Sequence, residues 1–107
     1  MKKLKQNYHF LNILSRSSPA QKRALLRTAN KGQILSLCEI CLNVLSGNVP
    51  SPVKRLRKYR KALRKVAKKS TKLAHKKKIF INQSGGFLPI VLRAIGPVLA
   101  GLLGQVL

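Results

Sequence analysis

Cys38 and Cys41 stand three residues apart, the spacing from which zinc half-sites and thiol–disulfide pairs are built, with Glu39 between them. A zinc site needs further ligands, yet the chain has no other cysteine and its two histidines, His9 and His75, fit no ligand spacing. On a helix, positions i and i+3 share a face, and here that face also carries Leu37 and Leu42. The pair therefore reads as two small, reduced core residues of a cytosolic or nuclear protein, with no metal and no cofactor expected. Glu39 is the one acid in 107 residues. General acid–base catalysis has little to work with, so Glu39 reads as an exposed counter-ion and the protein as a non-enzyme.

The side chains with greater chemical reach are cationic. Twenty-three Lys and Arg give a formal charge of +22, and such a chain repels itself unless a polyanion neutralises it. Nucleic acid or an anionic lipid surface is the expected partner. Between residues 54 and 78 the chain carries fourteen cations and no acid: Lys54, Arg55, Arg57, Lys58, Arg60, Lys61, Arg64, Lys65, Lys68, Lys69, Lys72, Lys76, Lys77 and Lys78. Ordinary soluble surfaces intersperse acids among their cations, so this run favours phosphate over plain solvation. No Asn or Gln within 52–69 is available to read adenine, although Arg can read guanine. Backbone-directed, sequence-tolerant binding is expected, and neutralising about six to ten phosphates would make affinity fall about three to five decades between low and moderate salt. Five aromatics are too few to track a single strand. Tyr59, inside the basic run, stays open as an exception, though its place on the apolar stripe favours packing.

The elements that must position these residues are helical. Leu4 to Ser15 puts Leu4, Tyr8, Leu11 and Ile13/Leu14 near one face. Ser18, Pro19 and Gln21 make a capping-box start for a helix over 20–28 that buries Ala24, Leu25 and Leu26 and exposes Lys22, Arg23 and Arg27. Asn30-Lys31-Gly32 reads as a break. Gln33 to Leu45, with Ile34, Leu37, Cys38, Cys41, Leu42 and Leu45 in register, is expected to be the central core helix, stopped by Ser46–Pro50. Ser51-Pro52 starts a long basic helix to about Lys69, with Val53, Leu56, Tyr59, Leu63, Val66 and Ala67 on a narrow apolar stripe. Like charges along it oppose helix formation when unscreened, so fraying in the free protein and tightening on binding are expected.

The fold class is thus mostly α, in four parts. A short-helix region spans 1–50, a basic amphipathic helix and basic run 51–78, a flexible linker with Gly85-Gly86 residues 79–86, and a hydrophobic helical tail 87–107. One modest core is expected, and the lysine-rich start lacks the apolar stretch of a secretory signal. The tail has the length of a membrane span, about 20 residues. Arg93, Pro89, Pro97 and the glycines oppose stable spanning, so a weakly inserting or protein-packed segment fits better. Gly96, Ala100 and Gly104 recur every fourth residue, a small-residue stripe suited to close helix packing, whether in a membrane, in self-association or in a hydrophobic groove.

At Gln83-Ser84-Gly85-Gly86-Phe87-Leu88-Pro89 and the Gly/Ala/Pro-rich end, the chain resembles the precursors of the adenoviral core protein mu (protein X), and the small basic proteins of Polinton (Maverick) elements and adintoviruses. The resemblance covers about the last quarter of the chain, and the basic run by composition alone. It implies a virion protein that packs the viral genome, located in the virion and in the host nucleus during assembly. It also implies cleavage by a viral cysteine protease between Gly86 and Phe87, with Gly85 and Gly86 letting an extended backbone enter the protease cleft. The sequence departs from that family at Gln83, where an aliphatic residue is usual, and in its capped N-terminal half. The expectation is a non-enzymatic protein that binds and condenses duplex DNA, its tail processed or engaged with capsid protein or its own copies. The competing expectation is a membrane-active protein whose basic helix binds anionic lipid while the tail inserts. A ribosome- or RNA-associated protein comes third, since the apolar tail has no use there.

Overall fold

Helix starts in this chain are set by side chains that satisfy the first free amides. In the computed structural model, which describes residues 2–106 and the side chains through 101, Ser18 accepts from the Gln21 amide while Gln21 Oε1 accepts from the Ser18 amide, opening α3 (Pro19–Arg27) with Pro19 at its first position. Asn30 and Gln33 make the same reciprocal pair at α4 (Lys31–Leu45). The expected break at 30–32 is therefore a cap, and α4 begins two residues early. Gly47, at φ 79°, turns the chain after α4 in the left-handed conformation that glycine adopts without strain. Ahead of these, α1 (Lys2–Gln6) and α2 (Tyr8–Arg16) run nearly continuously, Asn7 bonding back to Lys3 and accepting from Leu11. They bury Leu4, Tyr8, Leu11 and Leu14 on one stripe as the spacing predicts, with Ile13 left outside.

The protein is mostly α, and its buried side chains form one cluster. Helix α4 is central, packing on α1, α6 (Arg60–Ala67), α7 (Leu73–Asn82) and α8 (Phe87–Val106). Its buried face is Ile34, Leu37, Cys38, Ile40, Cys41 and Val44, rotated from the expected stripe so that Leu42 is exposed. In α3 the face is also displaced. Ala24 is exposed, whereas Lys22 is buried beside Leu26, its Nζ donating to the Ser17 carbonyl that ends α2.

Three expectations are corrected. The long basic helix is broken into α5 (Val53–Leu56), a 3-10 turn (Arg57–Tyr59) and α6, which ends at Ala67. Its cations repel and include no acid that could brace the helix through opposite-charge pairs. Ser51 does not cap it: α5 starts one residue late, leaving Pro52 at the cap without a side-chain bond. The linker is not extended either. Residues 79–82 are the last turn of α7, because Phe80 enters the core, and 83–86 form a tight turn. The tail is not a separate part: α8 packs on α1, α2 and α4 and buries Phe87, Leu88, Val91, Leu92, Ile95 and Leu99. Pro89 lies in its first turn, where no helical amide bond is lost, whereas Pro97 removes the bond to the Arg93 carbonyl inside the helix. Among the described residues no single helix is long and apolar enough to cross a membrane; α7 and α8 pass that test only as a pair bent by 96°.

Candidate nucleic-acid interface

With Leu56, Leu63 and Val66 turned into the core, every cation of α5, the 3-10 turn and α6 faces out: Lys54, Arg55, Arg57, Lys58, Arg60, Lys61, Arg64 and Lys65 are all exposed. Lys68, Lys69, Lys72 and Lys78 extend this surface. Lys61, Arg64, Lys65 and Lys68 line one shallow cleft, and Lys61 and Lys65 meet His75 of α7 in another. Such a surface can neutralise several phosphates at once without base readout.

Two of the expected fourteen cations do other work. Lys76 is buried against α4, where its charge, with that of Lys3, partly offsets the burial that pushes the Cys38 thiol up. Lys77 donates to the Ala29 carbonyl at 3.0 Å, joining α7 to the end of α3, where the helix dipole favours a cation. Their spacing at the inner face of α7, alongside Phe80, is the signal that separates them from the rest. Lys22 was also expected outside, and burial lowers its pKa.

Cys38 and Cys41 are free, buried thiols, and burial raises the pKa of both, with Cys38 adding to the effect on Cys41. A raised pKa keeps them protonated and unreactive, as core residues. Glu39 is half-buried on α4, its backbone carbonyl accepting from Asn43. Among the described residues no three His, Cys, Asp or Glu side chains gather where they could hold a metal.

The Gly85-Gly86 turn is built by its neighbours. Gln83 accepts at its backbone carbonyl from Gly86 and Leu88, and at Oε1 from the Phe87 amide, so it caps α8. A Cβ on Gly86 would overlap Gln83 Oε1 and stand 3.3 Å from the Tyr59 ring, whereas at Gly85 the nearest atom would be 4.0 Å away. Close approach thus favours glycine at 86, where a Cβ would displace the end of the Gln83 side chain. Phe87 is fully buried and begins an aromatic row, edge-on to Tyr59 at 6.1 Å and to Phe80 at 6.0 Å. Tyr59 is half-buried, with Lys58 Nζ 5.1 Å over its ring. Cutting the Gly86–Phe87 bond therefore requires this turn to open first.

On α8, Gly96 is half-buried and Ala100 exposed; a Cβ on Gly96 would meet no neighbouring atom within 4 Å. The stripe is not used within the chain there, and the side-chain surroundings of position 104 lie outside the described residues. Arg93, exposed on α8 away from the α6 face, shares a cleft with Arg55, a neighbour that sequence reasoning missed. Its signal was its isolation in an otherwise apolar run. Comparison with protein-family models, with curated proteins and with solved structures finds no match for this chain.

Proposed function

We propose that this protein binds and condenses nucleic acid, duplex DNA foremost, through phosphate contacts without sequence specificity and without catalysis. The observation that carries the reading is the outward display of acid-free cations on α5, the 3-10 turn and α6, above a narrow stripe of buried Leu56, Leu63 and Val66 with half-buried Tyr59 and Ala62. The cations of this surface far outnumber the chain's one acid, and an array of phosphates supplies the opposing charge. The resemblance of 83–89 to viral core-protein precursors supports a viral genome as the DNA, and with it a place in the virion and the host nucleus. Processing at Gly86–Phe87 by a viral protease belongs to the same reading and would act on an opened turn. Capsid protein or further copies of the chain would meet the outer face of α8 at Gly96 and Ala100.

Replacing Arg55, Arg57, Arg60 and Arg64 together by glutamine tests the assignment in a salt-titrated duplex-binding assay. Removing four phosphate contacts should flatten the slope of log affinity against log salt by roughly 3 to 4. An unchanged slope would remove that face from the interface.

A membrane-active protein would use the same cations on anionic headgroups, but insertion of α8 would first have to extract Phe87, Leu88, Val91, Leu92 and Ile95 from the core. Leakage of anionic vesicles at protein concentrations that leave the helical fold intact would favour that reading.

A further inference from the structure

The cleft between α5 and the first turns of α8 holds chemistry that the outer face of α6 does not. Arg55 comes from α5 and Arg93 from α8, yet both line one cleft, with Ile90 and Pro89 on its apolar wall. Arg55, Ile90 and Pro89 also line an adjoining groove of about 550 Å³, which continues past Tyr59 to the Gly85-Gly86 turn. The fold thus brings two arginines from distant parts of the sequence to one opening. Holding like charges together is unfavourable unless an anion joins them. The other wall asks for something different: Pro89 and Ile90 offer apolar surface beside the charge, and further along the groove the half-buried Tyr59 stands among Lys54, Arg57 and Lys58, with Lys58 over its ring.

The cleft that Arg55 and Arg93 share is small, about 130 Å³, room for a phosphate group, and the adjoining groove of about 550 Å³ falls in the ~300–1,000 Å³ range of small-ligand sites, whereas a duplex presents phosphates outward and keeps its bases stacked. A ligand that satisfies both walls must carry a phosphate and a flat, exposed ring within one small unit. We propose that this cleft takes unpaired nucleotides of a nucleic-acid single strand, with Arg55 and Arg93 on the phosphate and Ile90, Pro89 and Tyr59 against the base. The assignment rests on the reading of the protein as a nucleic-acid binder and deepens it, adding a site for unpaired nucleotides beside a face for duplex phosphates. It also gives Arg93 a role.

The test uses the full chain with methyl-labelled isoleucine, Ile90 being assigned through Ile90→Val, and follows titration with oligothymidylate, with a duplex, with inorganic phosphate and with phosphatidylglycerol vesicles. The Ile90 methyl should shift with oligothymidylate and stay in place with phosphate alone. Arg93→Gln should lower the salt slope for oligothymidylate by roughly 0.7, one contact on a single strand, and leave the duplex slope unchanged. An Ile90 methyl that stays in place while the oligonucleotide binds elsewhere overturns the cleft and leaves the α6 face standing. Equal losses for both nucleic acids on Arg93→Gln, or an Ile90 methyl that responds only to vesicles, also overturn it. Absence of salt-dependent binding to either nucleic acid overturns the reading of the protein and the cleft together.

Discussion

The basic stretch 53–67 and the apolar helix α8 are built on opposite plans. The first turns Leu56, Leu63 and Val66 inward and leaves eight cations in water; the second turns Phe87, Leu88, Val91, Leu92, Ile95 and Leu99 inward and leaves one cation, Arg93, outside. Nothing in the hydropathy of α8 distinguishes a membrane-seeking tail from the helix that completes a core, since both leave water for the same reason. What distinguishes them is whether the rest of the chain has an apolar face left uncovered. In this protein α1, α2 and α4 have one, and α8 covers it. The lesson is that a small, highly charged chain cannot spare its most apolar segment.

The hardest way to break this comparison is to delete residues 87–107. Fully burying each large apolar side chain is worth about 1.5–3 kcal/mol, so the combined loss rivals the about 5–15 kcal/mol that holds a typical domain together. The shortened chain should lose its cooperative thermal transition and much of its helical circular dichroism. A chain of 1–86 that melts as sharply as the whole protein would make α8 an appendage after all.

Single substitutions sharpen the contrast by separating stability from binding. Phe87→Ala should cost about 3–5 kcal/mol, read from chemical denaturation, because the ring is fully buried between Tyr59 and Phe80. Arg64→Gln, on the other region, should change stability by no more than about 0.5 kcal/mol while weakening duplex binding. A large stability loss at Arg64 would give the basic face a structural role that its exposure does not suggest.

Much of the fold was legible because it is local. The Ser18–Gln21 cap, the i, i+3, i+4 stripe of α2, that of α4 at Ile34, Leu37, Cys38 and Cys41 though not at Leu42, and the outward cations of α5 and α6 follow from neighbours a turn away. What escaped depends on distant partners. Phe80 makes helix of a stretch that composition assigned to linker, and Lys77 leaves the cationic surface because the Ala29 carbonyl lies within reach. Arg93 acquires a neighbour in Arg55 only once α8 folds back. Gly85 and Gly86 look alike in sequence, yet close approach bears on 86 alone.

Gly86→Ala measures that constraint. The added Cβ displaces Gln83 Oε1 and with it the bond to the Phe87 amide, while no unusual backbone angle is at stake. Loss of a helix cap costs about 1 kcal/mol, and the same change at Gly85, which has open space, should cost clearly less. Equal effects at the two sites would mean that backbone freedom, not close packing, selects the glycines.

The smallest effect, and the cleanest, compares two Ser-Pro pairs that look alike in sequence. Ser18 precedes Pro19 at the first helical position and accepts from the Gln21 amide, so Ser18→Ala removes one side of a reciprocal pair and should cost about 0.5–2 kcal/mol. Ser51 precedes Pro52, which is itself the cap of α5 and offers no side-chain acceptor, so Ser51→Ala removes no bond and should fall within about 0.5 kcal/mol of the parent. The difference arises at the third position after the serine: Gln21 can return the hydrogen bond in the first case, whereas Lys54 stands there in the second and has no acceptor to offer. Denaturation midpoints of the two variants side by side measure it. Equal midpoints would mean that proline at the helix start, common to both pairs, does the stabilising, and that the capping box at Ser18 adds nothing to it.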